Sequence, residues 1–475
     1  MADSISLDRG RMLRGLSILV LLYLAIVYVL PKPTQITPDG WRLFGLFTAA
    51  VAGLILQPIP GGALVLMAVT LCPLLAGMKI EKALSGYSEP NVWLVLAAFF
   101  ISRSLLNTGL ARRIALFFVR RFGGSSLGIC YSLALSDMVL ATIIPSNGAR
   151  SGGVTLPIVR SIAELYGSKP GETAGLLGSF LITAVYQCVC ISSAMFFTGQ
   201  ASNPIAAQMA TNMGFTVTWS SWFLAGIVPG LCSLLAVPWI IQKMHPPQIR
   251  KTPEAAAFAG CELEAMGPMK RNEWILTVVF VTVCGFWITS GWHKLDITVT
   301  ALVGCTALLL TGVLTWEDVR SEKVAWEMFI WYGGLVMMGK ALNEAKISTV
   351  FANYVADSFH SNGWVLLFVV ALLIYFYAHY AFASITAHLL AMFPPFLAVL
   401  LAKGAPIGLT VFAFATFVNF SSGLTNYGTT PAPMFFAQEY VSLQRWWKVG
   451  LVASFANIAI WGTIGFLWWK LIGIW

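Results

Sequence analysis

Charge is scarce in this chain. Asp, Glu, Lys and Arg make up 10% of its 475 residues against 58% hydrophobic ones, where a soluble globular domain carries about 25% charged residues. An ordinary soluble fold is thereby excluded, and the sequence reads as an all-α polytopic membrane protein. Acids are scarcer than bases, 20 against 29, which leaves a net charge of +9. The bases fall mostly in short segments between apolar runs, so they report topology and not a nucleic-acid surface. Metal-ligand spacing is missing as well. The eight cysteines are scattered apart from Cys188 and Cys190, and the five histidines, His245, His293, His360, His379 and His388, are dispersed. No metal, cofactor, disulfide framework or nucleophile–base pair of a membrane-embedded enzyme is expected.

Apolar runs are abundant, and about twenty such residues cross a bilayer as a helix. Eleven crossings are expected, near 13–31, 40–58, 61–78, 91–110, 174–213, 219–243, 273–291, 296–315, 325–343, 406–440 and 448–474. The first is read as a retained helix, because no small-residue cleavage site follows its arginines. Two further apolar regions, 124–166 and 362–403, hold a polar break in the middle. Each is expected to enter, break at its tip and return to its own side as a re-entrant hairpin. Non-helical backbone at that depth is tolerated only against protein or a wet cavity. With the N-terminus cytoplasmic and the C-terminus extracytoplasmic, this count puts 18 Lys and Arg inside and 8 outside, with Arg103, Arg150 and Lys340 within spans. That follows the positive-inside rule; letting either hairpin cross would flip every later loop.

The two hairpins correspond in detail. At the first break stand Pro145, Ser146, Asn147, Gly148, Ala149 and Arg150; at the second, Ala383, Ser384, Ile385, Thr386, Ala387 and His388. Each has a residue able to carry positive charge four places after its serine, and a proline, Pro157 or Pro395, eleven places after it. A crossing that ends in Leu106-Asn-Thr-Gly or Leu342-Asn-Glu-Ala and a connector precede each hairpin. A long helix interrupted between Thr198 and Pro204, or between Thr425 and Pro433, follows it. The chain therefore divides into a first repeat, 1–243, a linker, 244–272, and a second repeat, 273–475. The linker is expected to be cytoplasmic with an amphipathic helix at the interface. One hairpin opens from inside and the other from outside, so the repeats are inverted, which is the pattern of a secondary transporter with its site at the broken helices.

Two tips meeting at the midplane would present unpaired backbone N–H groups and helix N-termini, which suit carboxylate oxygens. The candidate binding residues are Ser146, Asn147, Gly148, Ser384, Ile385 and Thr386 at the tips, with Thr198, Ser202, Asn203, Thr429, Thr430 and Pro431 at the interruptions. The competing reading of such Gly, Ser and Thr positions is close helix packing; four segments in a two-by-two repeat favour the site. Arg150 at membrane depth should be paired or line a wet cavity, its alternative being to snorkel to the inner interface. His388 has the alternative of a neutral core histidine. Arg103, Asp137 and Lys340 are read as structural, with Asp137 available to pair with a base.

Ala141 to Pro157, Ala378 to His388 and the interrupted helices resemble segments of the divalent anion:sodium symporter (DASS) family. The likeness is to its exchanger branch, which includes bacterial citrate/succinate and tartrate/succinate antiporters and 2-oxoglutarate/malate translocators. The family signature is Ser-Asn-Thr at each tip; here the first is Ser146-Asn147-Gly148 and the second Ser384-Ile385-Thr386. The resemblance implies a homodimer of scaffold and transport domains that works as an elevator, with Arg150 and His388 standing in place of coupling sodium. The function expected is sodium-independent exchange of C4 and C5 dicarboxylates (2-oxoglutarate, malate, succinate, fumarate) across the cell inner (plasma) membrane. Fixed cations would neutralise the loaded site and penalise the empty one. The alternatives are a sodium-coupled dicarboxylate or citrate symporter of the same family and, from another class, an anion channel, which trans-stimulation would rule out.

Overall fold

The computed structural model describes residues 9–347, 350 and 363–475, and the regular elements among them are helices. Ten are long and apolar enough to span a bilayer, and Gly61–Leu75, Ser126–Ala141 and Ile297–Leu310 are shorter apolar helices. A 22-residue helix, Lys323–Glu344, fills the crossing expected at 325–343. Two crossings are shorter than their apolar runs. The run 61–78 is helical only over Gly61–Leu75 and 296–315 only over Ile297–Leu310. Just past those ends Gly77 and Gly312 take φ of 61° and 74°, the left-handed conformation that closes a helix and that glycine adopts freely.

Both polar breaks interrupt helices where expected. In the first hairpin Ser126–Ala141 leads through Thr142–Ser146 into a second arm that runs from Asn147 through a π-turn at Ser151–Thr155 to Leu165. In the second hairpin Trp364–Tyr377 is followed by a 3₁₀ turn, Ala378–Ala381, and then Ile385–Ala402. The arms turn back on each other: Asp137 meets Arg150, and at the same spacing Tyr375 stacks against His388 with ring centroids 4.4 Å apart. Most of the connector before the second hairpin, and its first residue 362, lie outside the described residues.

The interrupted helices form the centre. Every residue of Gly178–Met195 is buried, as is 94% of the window Ile407–Leu424, consistent with runs apolar on all faces. They are pinned together where helix is lost, Tyr186 Oη donating to Ser422 O at 2.7 Å and Gln187 Nε2 to Gly423 O at 2.9 Å. The outer helices Arg9–Val29 and Arg271–Ile288 bury only 11% and 22% of their windows.

The linker straps the base of the first hairpin. Thr252 N donates to Gly124 O at 3.0 Å and Thr252 Oγ1 to Gly123 O at 2.8 Å, where the first arm begins. Where the second arm ends, Tyr166 Oη donates to Glu254 at 2.6 Å and accepts from Ala255 N at 3.1 Å. The helix Pro253–Met266 is further held by Arg112 on Glu262. The hydrogen bond from Tyr166 holds the Glu254 carboxyl below the usual carboxylate range. A depressed carboxyl stabilises above its unfolded pKa and loses that contribution as pH falls through the folded one. Tyr166→Phe is therefore expected to speed amide exchange severalfold at residues 254–259 near neutral pH, with the difference from wild type shrinking in acid.

Candidate site at the two hairpin tips

Each tip begins a helix with a serine cap. Ser146 Oγ accepts from Ala149 N at 3.1 Å, and Ser384 Oγ accepts from Ala387 N at 3.4 Å. A serine hydroxyl that accepts in this way keeps its own hydrogen for a ligand. The other first-turn amides, of Asn147 and Gly148 in one helix and Ile385 and Thr386 in the other, have no partner among the described residues, and each helix end carries roughly half a positive charge.

Both N-termini border one cavity of about 260 Å³. Pro145, Ser146, Asn147, Gln200, Ala201, Ser384, Thr386, Ala387 and Thr430 line it from the hairpins and interruptions, and Gln57, Gly61, Phe99, Glu327, Met328 and Trp331 are among the residues facing them. Of the candidate residues, Ser146, Asn147, Ser384, Thr386 and Thr430 thus share a wall. Gly148, Ile385 and Pro431 are buried behind it, with Gly148 pressed against Thr430.

The remaining candidates repair the broken backbone. Asn203 Nδ2 donates to Ser193 O at 2.8 Å and to Phe196 O at 2.9 Å, while its Oδ1 accepts from Asn419 Nδ2 at 3.0 Å. Thr198 Oγ1 donates to Thr142 O and accepts from Trp219 Nε1 at 3.2 Å. Thr429 Oγ1 accepts from Asn147 Nδ2 at 3.1 Å, which aligns a residue that does line the cavity. Ser202 is buried, and its Oγ has no hydrogen-bond partner among the described residues.

Arg150 lies behind the first tip at 0% exposure, which removes the snorkelling alternative. Its Nε donates to Asp137 Oδ1 at 2.9 Å and Nη1 to the carbonyls of Ile144 at 2.8 Å and Gly199 at 2.7 Å. Nη2 donates to Ser193 Oγ at 3.0 Å, and Ser192 Oγ donates to the other oxygen of Asp137. One guanidinium thus ties the hairpin tip to the interrupted helix. Asp137 balances its charge, so Arg150 is not the surplus cation the sequence alone suggested.

The second tip has the equivalent chamber. Gly428, placed relative to Pro433 as Gly199 is to Pro204, has its carbonyl 2.9 Å from His379 Nε2. His379 Nδ1 in turn lies 2.8 Å from Nδ1 of the fully buried His388. Gly199 and Gly428 admit no side chain: a Cβ would stand 2.8 Å from Ser193 O in one and 2.8 Å from Ser422 O in the other.

Sequence reasoning missed Gln200, Ala201 and Glu327 as lining residues and His379 as a partner of His388. Matched offsets signalled His379 only through the position of Gly428; nothing in the local pattern marks Glu327. Arg103 and Lys340 sit at partly exposed ion pairs, with Glu322 at 3.6 Å and Glu89 at 3.2 Å.

This arrangement has known counterparts. The family model described as the sodium:sulfate symporter transmembrane region matches residues 12–475. A Bacillus subtilis (strain 168) protein named as a candidate malate transporter, YflS, is 42% identical over 452 residues, 95% of each chain. Dicarboxylate transporter 1, chloroplastic, of Spinacia oleracea is 39% identical over 454 residues, 95% of this chain and 80% of that one. Inner membrane protein YbhI of Escherichia coli (strain K12) is 34% identical over 469 residues, 96% of this chain and 98% of that one. The crystal structure of the Alcanivorax borkumensis YdaH transporter shares the fold, with a TM-score of 0.55 at 12% identity, covering 97% of this chain and 98% of that one. Two broken-helix hairpins around one cavity and a family match along nearly the whole chain lead to one assignment: this multi-pass membrane protein belongs to the divalent anion:sodium symporter family of transporters.

Proposed function

We propose that the chain is a sodium-independent antiporter that exchanges C4 and C5 dicarboxylates such as 2-oxoglutarate, malate, succinate and fumarate. The substrate class is supported by relatives named for dicarboxylate and malate transport and by two capped helix N-termini facing one cavity, which suit the two carboxylates of one dianion. The observation that carries sodium independence is the Arg150 cage. Unwound backbone carbonyls at a broken helix are what a coupling sodium would hold, and here a guanidinium already holds those of Ile144 and Gly199. A side chain thus serves the freed carbonyls at the first tip, and at the second His379, backed by His388, serves that of Gly428.

Obligatory exchange follows from the empty site. Arg150 is balanced by Asp137, so the uncompensated field comes from the two helix N-termini, together about one positive charge. A bound dianion pairs its two carboxylates with the two helix ends by direct hydrogen bonds and leaves about one net negative charge for further polar groups or a proton to offset; an empty carrier must move both ends unpaired. A penalty of about 3 kcal/mol, the scale of a charge at the bilayer centre, slows the empty return roughly a hundredfold at about 1.4 kcal/mol per tenfold. In this reading the repeats are inverted in the cell inner membrane, with the N-terminus and linker cytoplasmic and the C-terminus outside. The hairpins and interrupted helices travel as an elevator against the remaining helices of a homodimer.

Proteoliposomes preloaded with malate are expected to take up labelled succinate without sodium, and empty vesicles are not. Sodium-driven uptake into empty vesicles would instead identify a symporter of the same family. Competition by a panel of di- and tricarboxylates then ranks the substrates.

A further inference from the structure

We propose that His379 and His388 form a proton-binding site behind the second hairpin tip, taking up one proton when a dicarboxylate binds so that anion and proton move together. The inference rests on the anion-exchange reading above and adds a second ligand to it.

The two chambers differ in saturation. In the first, all three guanidinium nitrogens of Arg150 donate. In the second, a carbonyl can only accept, so His379 Nε2, 2.9 Å from Gly428 O, carries a hydrogen. The 2.8 Å separation of the two Nδ1 atoms requires one hydrogen between them. In the neutral pair that hydrogen belongs to His388, and His388 Nε2 is left as a bare lone pair. It is buried and makes no hydrogen bond of good geometry among the described residues, and the Tyr375 carbonyl lies beside the ring, where it can accept from an imidazolium. A proton added there turns His388 into an imidazolium with no existing bond broken, and the pair gains one positive charge. Tyr375 on one side and Phe382 on the other, at 4.4 and 4.8 Å between ring centroids, hold the imidazole in place.

The chamber supplies no counter-charge. Where the first repeat has Asp137, thirteen residues before Arg150, the second has Tyr375, thirteen before His388, and no Asp or Glu occurs from 364 to 436. The ionisable groups on the hairpin and the facing break are Tyr375, Tyr377, Tyr380 and Tyr427, with Lys403 just past the far end of the second arm. Among the neighbouring helices, Pro38–Leu56 carries Asp39 and Arg42, which pair with each other at 3.2 Å. Arg445 and Lys448 on Leu443–Ile460 are exposed. Glu327 lies in the wall facing Ser384 and Thr386. On the imidazolium's own side of the cavity the counter-ion available is thus an anion held at Ser384 and Thr386, one helical turn away, with the Glu327 carboxylate on the facing wall. An empty tip repels the proton through its helix N-terminus, whereas a loaded tip attracts it. The coupling is reciprocal, so proton and anion each tighten the other's binding, roughly 5- to 150-fold.

Calorimetry of succinate binding to the purified carrier, in buffers of different ionisation enthalpy near pH 7, counts the protons taken up. Wild type is expected to absorb up to about one per succinate. His379→Gln, which keeps a donor for Gly428, and His388→Gln are each expected to cut that uptake at least about fivefold. Wild-type affinity supplies a check free of folding effects: it is expected to weaken by up to about tenfold per pH unit above neutrality, where succinate itself no longer titrates. Zero uptake in wild type, unchanged uptake in both variants, or an affinity flat across that range overturns the proton site while leaving anion exchange intact. Failure of sodium-free exchange in wild-type proteoliposomes strikes the exchange reading instead.

Discussion

Replacing Arg150 with alanine is expected to stop the proposed sodium-free exchange and to cost the fold about 3–5 kcal/mol, the usual penalty for removing one partner of a buried ion pair. Asp137, 1% exposed, would be left charged in an apolar interior, and the carbonyls of Ile144 and Gly199 would lose their donor. Arg150→Ala with Asp137→Ala removes both charges, so most of the stability returns while exchange does not. Thermal unfolding of the detergent-solubilised protein separates the two effects. Arg150→Lys is expected to keep only part of the activity, since one ammonium cannot serve in a plane the four acceptors that the guanidinium reaches. The single alanine variant also opens a hole lined by the Asp137 carboxylate, the Ile144 and Gly199 carbonyls and the Ser193 hydroxyl. Such an oxygen set suits sodium, and Arg150→Ala is therefore expected to recover measurable exchange in sodium chloride but none in choline chloride. Full activity of this variant in choline would remove Arg150 from the machinery altogether.

The cage also shows why the sequence disclosed the outline of the site and not its wiring. Hairpins and interrupted helices were legible because a break in an apolar run must be written in Gly, Pro, Ser, Thr and Asn, and because it is written twice at matching offsets. The tips at Ser146 and Ser384 were legible for the same reason. Which polar residue faces a ligand was not, since a broken helix frees carbonyls that need donors at the same depth. Asn203 spends both amide hydrogens on Ser193 O and Phe196 O, and in sequence it cannot be told from a ligand donor. Asp137 declares a buried charge but not its partner, and Arg150 alone invites the inference of surplus charge that the pair cancels. Glu327 sits on an ordinary-looking helix and reaches the cavity only through packing between elements far apart in the chain.

Gly148, where the family signature has threonine, yields the other large effect. Its backbone does not require glycine, since its φ is not positive. What excludes a side chain is Thr430, whose Cγ2 would stand 2.8 Å and Cβ 3.2 Å from an added Cβ. Thr430 is itself held in place by its neighbour Thr429, which accepts from Asn147. The two positions thus share one small volume beside the cavity, glycine on the hairpin and threonine on the interruption. Gly148→Thr is expected to lower exchange about 10- to 100-fold, because overpacking costs about 1–3 kcal/mol and each 1.4 kcal/mol is about tenfold. Gly148→Ala should fall between. Thr430→Gly in the Gly148→Thr background should restore exchange to within severalfold, moving the hydroxyl from the interrupted helix to the tip. That swap relocates a donor along the cavity wall, so the ratio of malate to 2-oxoglutarate exchange, measured by competition against labelled succinate, should change even where the total rate returns. A Gly148→Thr carrier as active as wild type would mean that Thr430 yields, and that glycine at this tip is not set by packing.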